Sequence, residues 1–242
     1  MNLIIDVGNT LVKFAVFQNN GLIEKKNVNV EDVLKTFKTI TENHQTIQHG
    51  IVSSVGKLET SVLKVIKDNL EILVLSGDTK LPFNNLYKTP KTLGVDRIAL
   101  VSASVQKFPK KNVLIIDAGT CITYDFINSK NDYLGGSISP GIRLRYKALN
   151  TLTANLPLLD TEMPMQIIGG STVTAIHSGV VFGILKEMDG VIDEYQERYE
   201  DLTVILTGGD AVFLSKQLKN SIFANSNFLL EGLNFILEFN SH

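Results

Sequence analysis

The chain has 242 residues, enough for two domains, with 44% hydrophobic and 20% charged residues and a formal net charge of −2. A near-neutral balance with no Lys/Arg-rich run gives no footprint for nucleic acid or an anionic membrane, and apolar runs of a few residues fall short of the ~20 a membrane-spanning helix needs. The N-terminus opens into a strand pattern without signal-peptide architecture. The single cysteine, Cys121, cannot form an intrachain disulfide, so a reducing cytoplasm is the expected compartment.

Residues 3–7, 11–18 and 22–28 read as strands, and Asn19-Asn20-Gly21 is a hairpin signal between the last two. Val33, Leu34, Phe37 and Ile40 recur at helical spacing, 47–53 is a buried strand, and Leu58, Val62, Val65 and Ile66 predict a second helix. A strand follows at Glu71–Leu75, then an irregular loop from Gly77 to Gly94 and a helix over 95–106. From Asn112 the order begins again, with strands at 112–116, 121–127 and 133–138. A Gly-rich bend at 135–141 leads to a helix over 142–150 and a loop at 153–170. One long helix carries Val173, Ile176, Val180, Ile184, Met188, Val191 and Tyr195 on a single face. Gly179 and Gly183 lie four apart in it, which reads as close helix packing. A short strand at 203–206 ends in Thr207-Gly208-Gly209-Asp210, and two further helices reach the C-terminus.

The second half echoes a phrase of the first. Leu3-Ile4-Ile5-Asp6-Val7-Gly8-Asn9-Thr10 returns as Leu114-Ile115-Ile116-Asp117-Ala118-Gly119-Thr120, one residue shorter because nothing matches Asn9. A single echo at this distance predicts two related halves rather than a solenoid, whose periods are ~20–50 residues. The expected architecture is therefore a duplicated α/β fold, with one domain over 1–111, a second over 112–242 and an active cleft between them.

Asp-x-Gly-Thr at a strand end is equipped to hold a metal–phosphate group. The carboxylate reaches a cation or its waters, the Gly lets backbone N–H groups approach phosphate oxygens, and the Thr adds a hydroxyl. In the first copy Asp6 would organise Mg²⁺, the amides of Gly8, Asn9 and Thr10 would meet phosphate, and Lys13 would add a positive charge. In the second, Asp117 is the candidate cation ligand and Thr120 the phosphate donor. An ordinary hairpin turn uses the same residue types, and the repetition is what favours chemistry.

A third element, Leu93-Gly94-Val95-Asp96-Arg97, opens a helix. Its Asp96 could be a simple helix-start acid or a general base, with Arg97 as an anion clamp. The bends at 135–141 and 207–210 are open between tight turns and nucleotide borders. Cys121 reads as a small buried apolar residue, His177 reads as structural, and His44, His49, His177 and His242 show no ligand spacing. No Walker A or G-x-G-x-x-G pattern is present.

Taken together, these motifs resemble the type III pantothenate kinases of the acetate/sugar kinase–Hsp70–actin superfamily, across nearly the whole chain. The resemblance rests on Asp6-x-Gly8-Asn9-Thr10 with Lys13, Tyr87 and Pro90 before Leu93–Arg97, Asp117-Ala118-Gly119-Thr120 with Thr123, Gly135-Gly136-x-Ile138-x-Pro140-Gly141, Ser171-Thr172 ahead of Gly179, and Thr207-Gly208-Gly209.

The resemblance implies two actin/ribonuclease H-like domains and phosphorylation of the pantothenate primary alcohol by ATP with Mg²⁺, the first step of coenzyme A biosynthesis. It implies that Asp6, Val7, Gly8, Asn9, Thr10, Leu11, Val12 and Lys13 form an ATP phosphate loop, that Thr120 is a second ATP contact, and that Asp117 binds a monovalent cation, K⁺ or NH₄⁺. Pantothenate would meet Tyr87, Gly94, Val95, Asp96, Arg97 and Thr172, with Asp96 as proton acceptor. The resemblance further implies a homodimer that engages the long helix. Ser171 and Gly170 depart from the family, where Asn and a basic residue are common. The competing expectations are another superfamily kinase or phosphatase, a non-catalytic regulatory homologue, and an ATP-dependent clamp.

Overall fold

The computed structural model describes residues 1–54 and 58–241. The chain forms two compact units. The first comprises Met1–Pro109, Asn131–Tyr133 and Asn227–His242, and the second comprises Lys110–Lys130 and Leu134–Ser226. The boundary after Pro109 lies beside the start of the repeated phrase, but the last helix returns to the first unit instead of staying with the residues it follows.

The first unit runs β1 (Asn2–Val7), β2 (Val12–Gln18), β3 (Gly21–Val28), α1 (Val33–Asn43), β4 (His49–Ser54), α2 (Thr60–Asn69), β5 (Glu71–Val74), β6 (Asn84–Asn85) and α3 (Val95–Lys107). Its main sheet has the order β3-β2-β1-β4-β5. β1 is antiparallel to β2 and parallel to β4, so it is central, and Leu3, Ile4, Ile5 and Val7 are fully buried. That position is why β1 reads as a continuous apolar run and not as an alternation. The β2–β3 turn holds Asn19 and Asn20 at φ 49° and 63°, the left-handed pair such hairpins require and Asn tolerates. Val33, Phe37 and Ile40 pack the buried stripe of α1 under this sheet with Ile66 of α2. Asn84 and Asn85 of β6 pair in parallel with Asp132 and Tyr133.

The second unit continues with β7 (Asn112–Ala118), β8 (Cys121–Ile127), β9 (Asp132–Pro140), α4 (Ile142–Thr151), α5 (Thr172–His177), α6 (Gly183–Arg198), β10 (Leu202–Thr207), α7 (Ala211–Ser215) and β11 (Phe223–Ala224). The sheet has the order β11-β10-β7-β8-β9-β6, with β6 joined only through Asp132 and Tyr133. Its other five strands repeat the first unit's sheet. The strand with the repeated phrase is antiparallel to the next strand and parallel to a later one, and the outer strand beyond that is parallel again. Duplication is therefore a property of the topology as well as of the motif.

Some details differ from the sequence reading. The strand expected over 133–138 runs to Pro140 and absorbs most of the Gly-rich bend. Gly136 is needed there because a side chain would strike the Tyr124 carbonyl of β8. The short β11 falls between the last two helices, where the reading had none. The predicted long helix is real from Thr172 to Arg198, but one wider turn at Ser178–Phe182 links α5 to α6.

The last helix, α8 (Phe228–Asn240), packs on α3. Gly232 permits this, since a side chain there would collide with the Ala99 carbonyl. Among the described residues no helix is long and apolar enough to cross a membrane.

Candidate active site

In the first unit the chemistry gathers where β1 ends. Asp6 is the penultimate residue of β1, opposite Lys13 on β2 and Ser53 on β4. Gly8 donates its N–H to the Leu11 carbonyl at 3.1 Å and closes a turn that leaves Asn9, Thr10 and Leu11 exposed. Asp6 itself is buried, and Lys13 Nζ lies 3.2 Å from its Oδ2. Burial pushes the Asp6 carboxyl above its usual range, Lys13 opposes that shift, and the neighbouring charge of Asp96 adds to it; the Ser53 hydroxyl opposite is buried without a hydrogen-bond partner among the described residues. Asp6 and Asp96 are thus close enough to repel, which brings the first phosphate candidate and the third element together within one unit.

Asp96 occupies the first turn of α3. Its Oδ1 accepts the Arg97 N–H at 2.8 Å, which satisfies one of the orphan donors of the helix start. Gly94 precedes it because Asp96 Oδ1 fills the space a side chain would need. Arg97 is buried, with its guanidinium 5.6 Å from the centre of the Tyr87 ring. The ring is held against Tyr133, and the Tyr87 N–H donates to Asn85 Oδ1 at 3.0 Å. Asp96, Arg97 and Tyr87, predicted from separate stretches of sequence, are therefore one cluster. Val95 is half-buried beside them. Hard carboxylate oxygens at Asp6 and Asp96 suit a magnesium–phosphate group.

The second unit repeats the arrangement at the end of β7. Asp117 stands opposite Thr123 on β8 and Thr207 on β10. The turn is one residue shorter, Gly119 to Cys121, closed by Gly119 N–H to the Cys121 carbonyl at 2.9 Å. Thr120 is exposed at its tip. The Thr120 carbonyl accepts the Gly141 N–H at 3.0 Å, and a side chain on Gly141 would run into the Gly119 and Thr120 carbonyls. Gly208 has φ +97° and lies against the Asp117 carboxylate and the Ala118 carbonyl. So Gly141 supports the Thr120 turn and Gly208 supports Asp117, a role left open between tight turn and nucleotide border. The Thr123 hydroxyl is buried with no hydrogen-bond partner among the described residues. Carboxylate and hydroxyl oxygens in one row, one of them a buried hydroxyl with no partner among the described residues, fit an oxygen-coordinated cation.

Thr172 is the first residue of α5 and is exposed. Ser171 caps this helix, since its Oγ accepts the Thr174 N–H at 3.3 Å while Thr174 Oγ1 accepts the Ser171 N–H at 3.0 Å. Asn is an equally good cap, so Ser in place of Asn here preserves the placement of Thr172.

Two expectations are corrected. Cys121 is exposed, not buried, because it is the last turn residue and inward-facing packing resumes at Ile122. Within the chain Gly179 and Gly183 do not serve close helix packing, since a Cβ at either, or at Gly190, would meet nothing within 4 Å. His177 is structural as expected: it is buried, with Nδ1 2.8 Å from the Tyr146 hydroxyl. His242 lies outside the described residues, and these contain no group of three metal-ligating side chains of the His/Cys/Asp/Glu kind.

The sequence reading missed a polar knot in the second unit. Tyr124 Oη donates to Glu187 Oε1 at 2.9 Å, and the Arg145 guanidinium donates to Glu187 Oε2, to Ser139 Oγ at 3.0 Å and to the Pro140 carbonyl at 2.9 Å. Burial alone would raise the Glu187 carboxyl, but Arg145, Ser139 and Tyr124 outweigh it and hold it below its usual range. Ser53 was missed too. Neither has a sequence signal, because each depends on strand register or on contacts far apart in the chain.

A sequence model of the type III pantothenate kinase family matches residues 2–194. A type III pantothenate kinase of Christiangramia forsetii is 53% identical, covering 99% of both chains, and one of Flavobacterium johnsoniae is 49% identical over 96% of both. Among solved structures, a Campylobacter jejuni protein provisionally described as a Baf family transcriptional activator superposes with a TM-score of 0.66 at 23% identity, covering 99% of this chain and 98% of that one. A glucokinase from an Antarctic psychrotroph gives 0.55 at 11% identity over 99% of both. These structures share the fold.

Proposed function

The chain belongs to the type III pantothenate kinase family, and we propose from that premise how its residues divide the work of phosphorylating pantothenate. The reaction moves the γ-phosphoryl group of ATP to the primary alcohol of pantothenate and yields ADP and 4′-phosphopantothenate. The bond from the γ-phosphorus to the bridging oxygen breaks, a bond to the alcohol oxygen forms, and the alcohol proton leaves.

Asp96 is the proton acceptor. The observation that carries this is its place at the start of α3, beside Arg97 and near enough to Asp6 to raise that carboxyl. A carboxylate is a weak base toward an alcohol, which suffices here because phosphoryl transfer is loose and the proton departs late. The main burden is electrostatic positioning. Asn9 and Thr10 offer backbone N–H groups, in a turn closed by the Gly8 N–H, and Lys13 a charge to the ATP phosphates, and Thr120 makes a second contact. Asp6 would hold Mg²⁺ through water, and the ion would neutralise charge on the phosphates. Asp117 would hold a monovalent cation. Arg97, braced by Tyr87, presents a fork suited to the pantothenate carboxylate or the moving phosphoryl group, and Gly94, Val95, Tyr87 and Thr172 complete the substrate contacts.

We also propose a homodimer built on the open face of the helix over 172–198. Gly179, Gly183 and Gly190 leave it without side-chain cover, and Met165, Ile167 and Ile168 are exposed in the segment before it. A reducing cytoplasm suits the exposed free thiol of Cys121.

Phosphorus NMR of a mixture of protein, ATP, Mg²⁺, K⁺ and pantothenate tests the substrate assignment. A new phosphomonoester signal is expected with pantothenate and not with acetate or hexoses. A signal with a hexose and none with pantothenate would overturn it.

A further inference from the structure

The two units repeat one cross-strand row, and the rows differ most at the antiparallel neighbour. In the first unit Asp6 stands between Lys13 and Ser53, and in the second Asp117 stands between Thr123 and Thr207. Directly paired residues on neighbouring strands point to the same face of a sheet, so each Asp shares a face with both flanking residues. The parallel neighbour carries a hydroxyl in both rows. The antiparallel neighbour does not match. Lys13 brings an ammonium to 3.2 Å from Asp6, whereas Thr123 brings a hydroxyl that is buried and has no hydrogen-bond partner among the described residues.

We infer that Thr123 is a ligand of the monovalent cation at Asp117, and that this ion takes the place the first unit gives to the Lys13 ammonium. The inference rests on the cation reading of Asp117. A buried hydroxyl with no partner is costly, and a cation beside it uses the lone pairs of its oxygen. K⁺ and an alkylammonium carry the same single charge, so a lysine at position 123 would carry the charge in on a tether, as Lys13 does at the matching strand position. Thr123 and Lys13 thus mark a division between one unit with a built-in cation and one with a recruited cation.

The test measures thermal unfolding midpoints against KCl, with choline chloride holding ionic strength constant, alongside ADP release. Binding to the folded state raises the midpoint. For the unaltered protein and Thr123→Ser, K⁺ is expected to raise it over the same concentration range. Thr123→Val is expected to need about tenfold more K⁺, as befits one lost polar contact. Thr123→Lys is expected to show no K⁺ response and to release ADP in choline chloride alone.

Equal K⁺ dependence in Thr123→Ser and Thr123→Val would overturn the inference, even if Thr123→Lys failed to fold. So would a K⁺ response in Thr123→Lys equal to that of the unaltered protein. No K⁺ response in the unaltered protein would overturn the cation reading together with the inference. Intact K⁺ shifts without pantothenate turnover would overturn the kinase reading and leave Thr123 as a ligand.

Discussion

Lys13 Nζ and Asp6 Oδ2 lie 3.2 Å apart across the β1–β2 ladder, with the carboxylate buried and the lysine partly in solvent. The pair sets a charge beside the proposed phosphate loop. Lys13→Met would leave the buried carboxylate without its ammonium. We expect a stability loss of about 1–2 kcal/mol, below the range for fully buried pairs because Lys13 is partly exposed. We also expect KM for ATP to rise about tenfold or more. Denaturant unfolding and ATP titration check this; an unchanged KM would remove Lys13 from the phosphate site.

The turn carrying Thr120 has its own support. Gly141→Ala would drive a methyl into the Gly119 and Thr120 carbonyls. The expected cost is about 1–3 kcal/mol as the turn or α4 shifts, with a raised KM for ATP. Gly170→Ala, where a side chain meets nothing within 4 Å, serves as the neutral comparison in the same assays.

Glu187 gives a stability effect with a defined pH dependence. Its folded-state carboxyl is depressed despite burial, because Arg145, Ser139 and Tyr124 hydrogen-bond the charged form. The resulting stabilisation is complete above the ordinary carboxylate range and is lost as pH falls through the lower folded-state value. Glu187→Gln should therefore cost about 1–3 kcal/mol at neutral pH. The gap to the unaltered protein should close as pH drops below ~4. Urea unfolding across pH 3–7 (the acid-side window) checks it, and a gap that persists undiminished at the acid end would contradict this role for the charge.

The open glycine face separates folding from assembly. At Gly183→Arg the new Cβ would meet no atom within 4 Å in the single chain and a helix-interior glycine is removed, so the thermal midpoint of the monomer should not suffer. Sedimentation should show the unaltered protein as a dimer and the variant as a monomer. A variant that stays dimeric would move the interface elsewhere.

Much of this was legible in the sequence because the apolar runs have unambiguous periods. The duplicated phrase located β1 and β7, and its missing residue is the observed difference between the turns at Gly8–Leu11 and Gly119–Cys121. Register was not legible. Nothing in the chain announces that Ser53 faces Asp6 or that Thr123 and Thr207 flank Asp117, since pairing partners lie 6 to 90 residues apart in sequence. The return of α8 to the first unit was hidden for the same reason: an apolar helix states that it is buried but not against what. Cys121 was misjudged on residue type alone, where turn position decides exposure.

The most direct test of Asp96 as the proton acceptor of a pantothenate kinase is pantothenate-dependent ADP release by the unaltered protein and Asp96→Asn side by side, with ATP affinity measured for both. Asparagine keeps an oxygen for the Arg97 N–H, so α3 should form normally. The expected result is K⁺-supported turnover in the unaltered protein, with kcat lower by about 10²–10⁴-fold in the variant and ATP affinity within a few-fold. An unchanged kcat in Asp96→Asn would remove Asp96 from the chemistry, and no turnover by the unaltered protein in any salt would point to a non-catalytic member of the family.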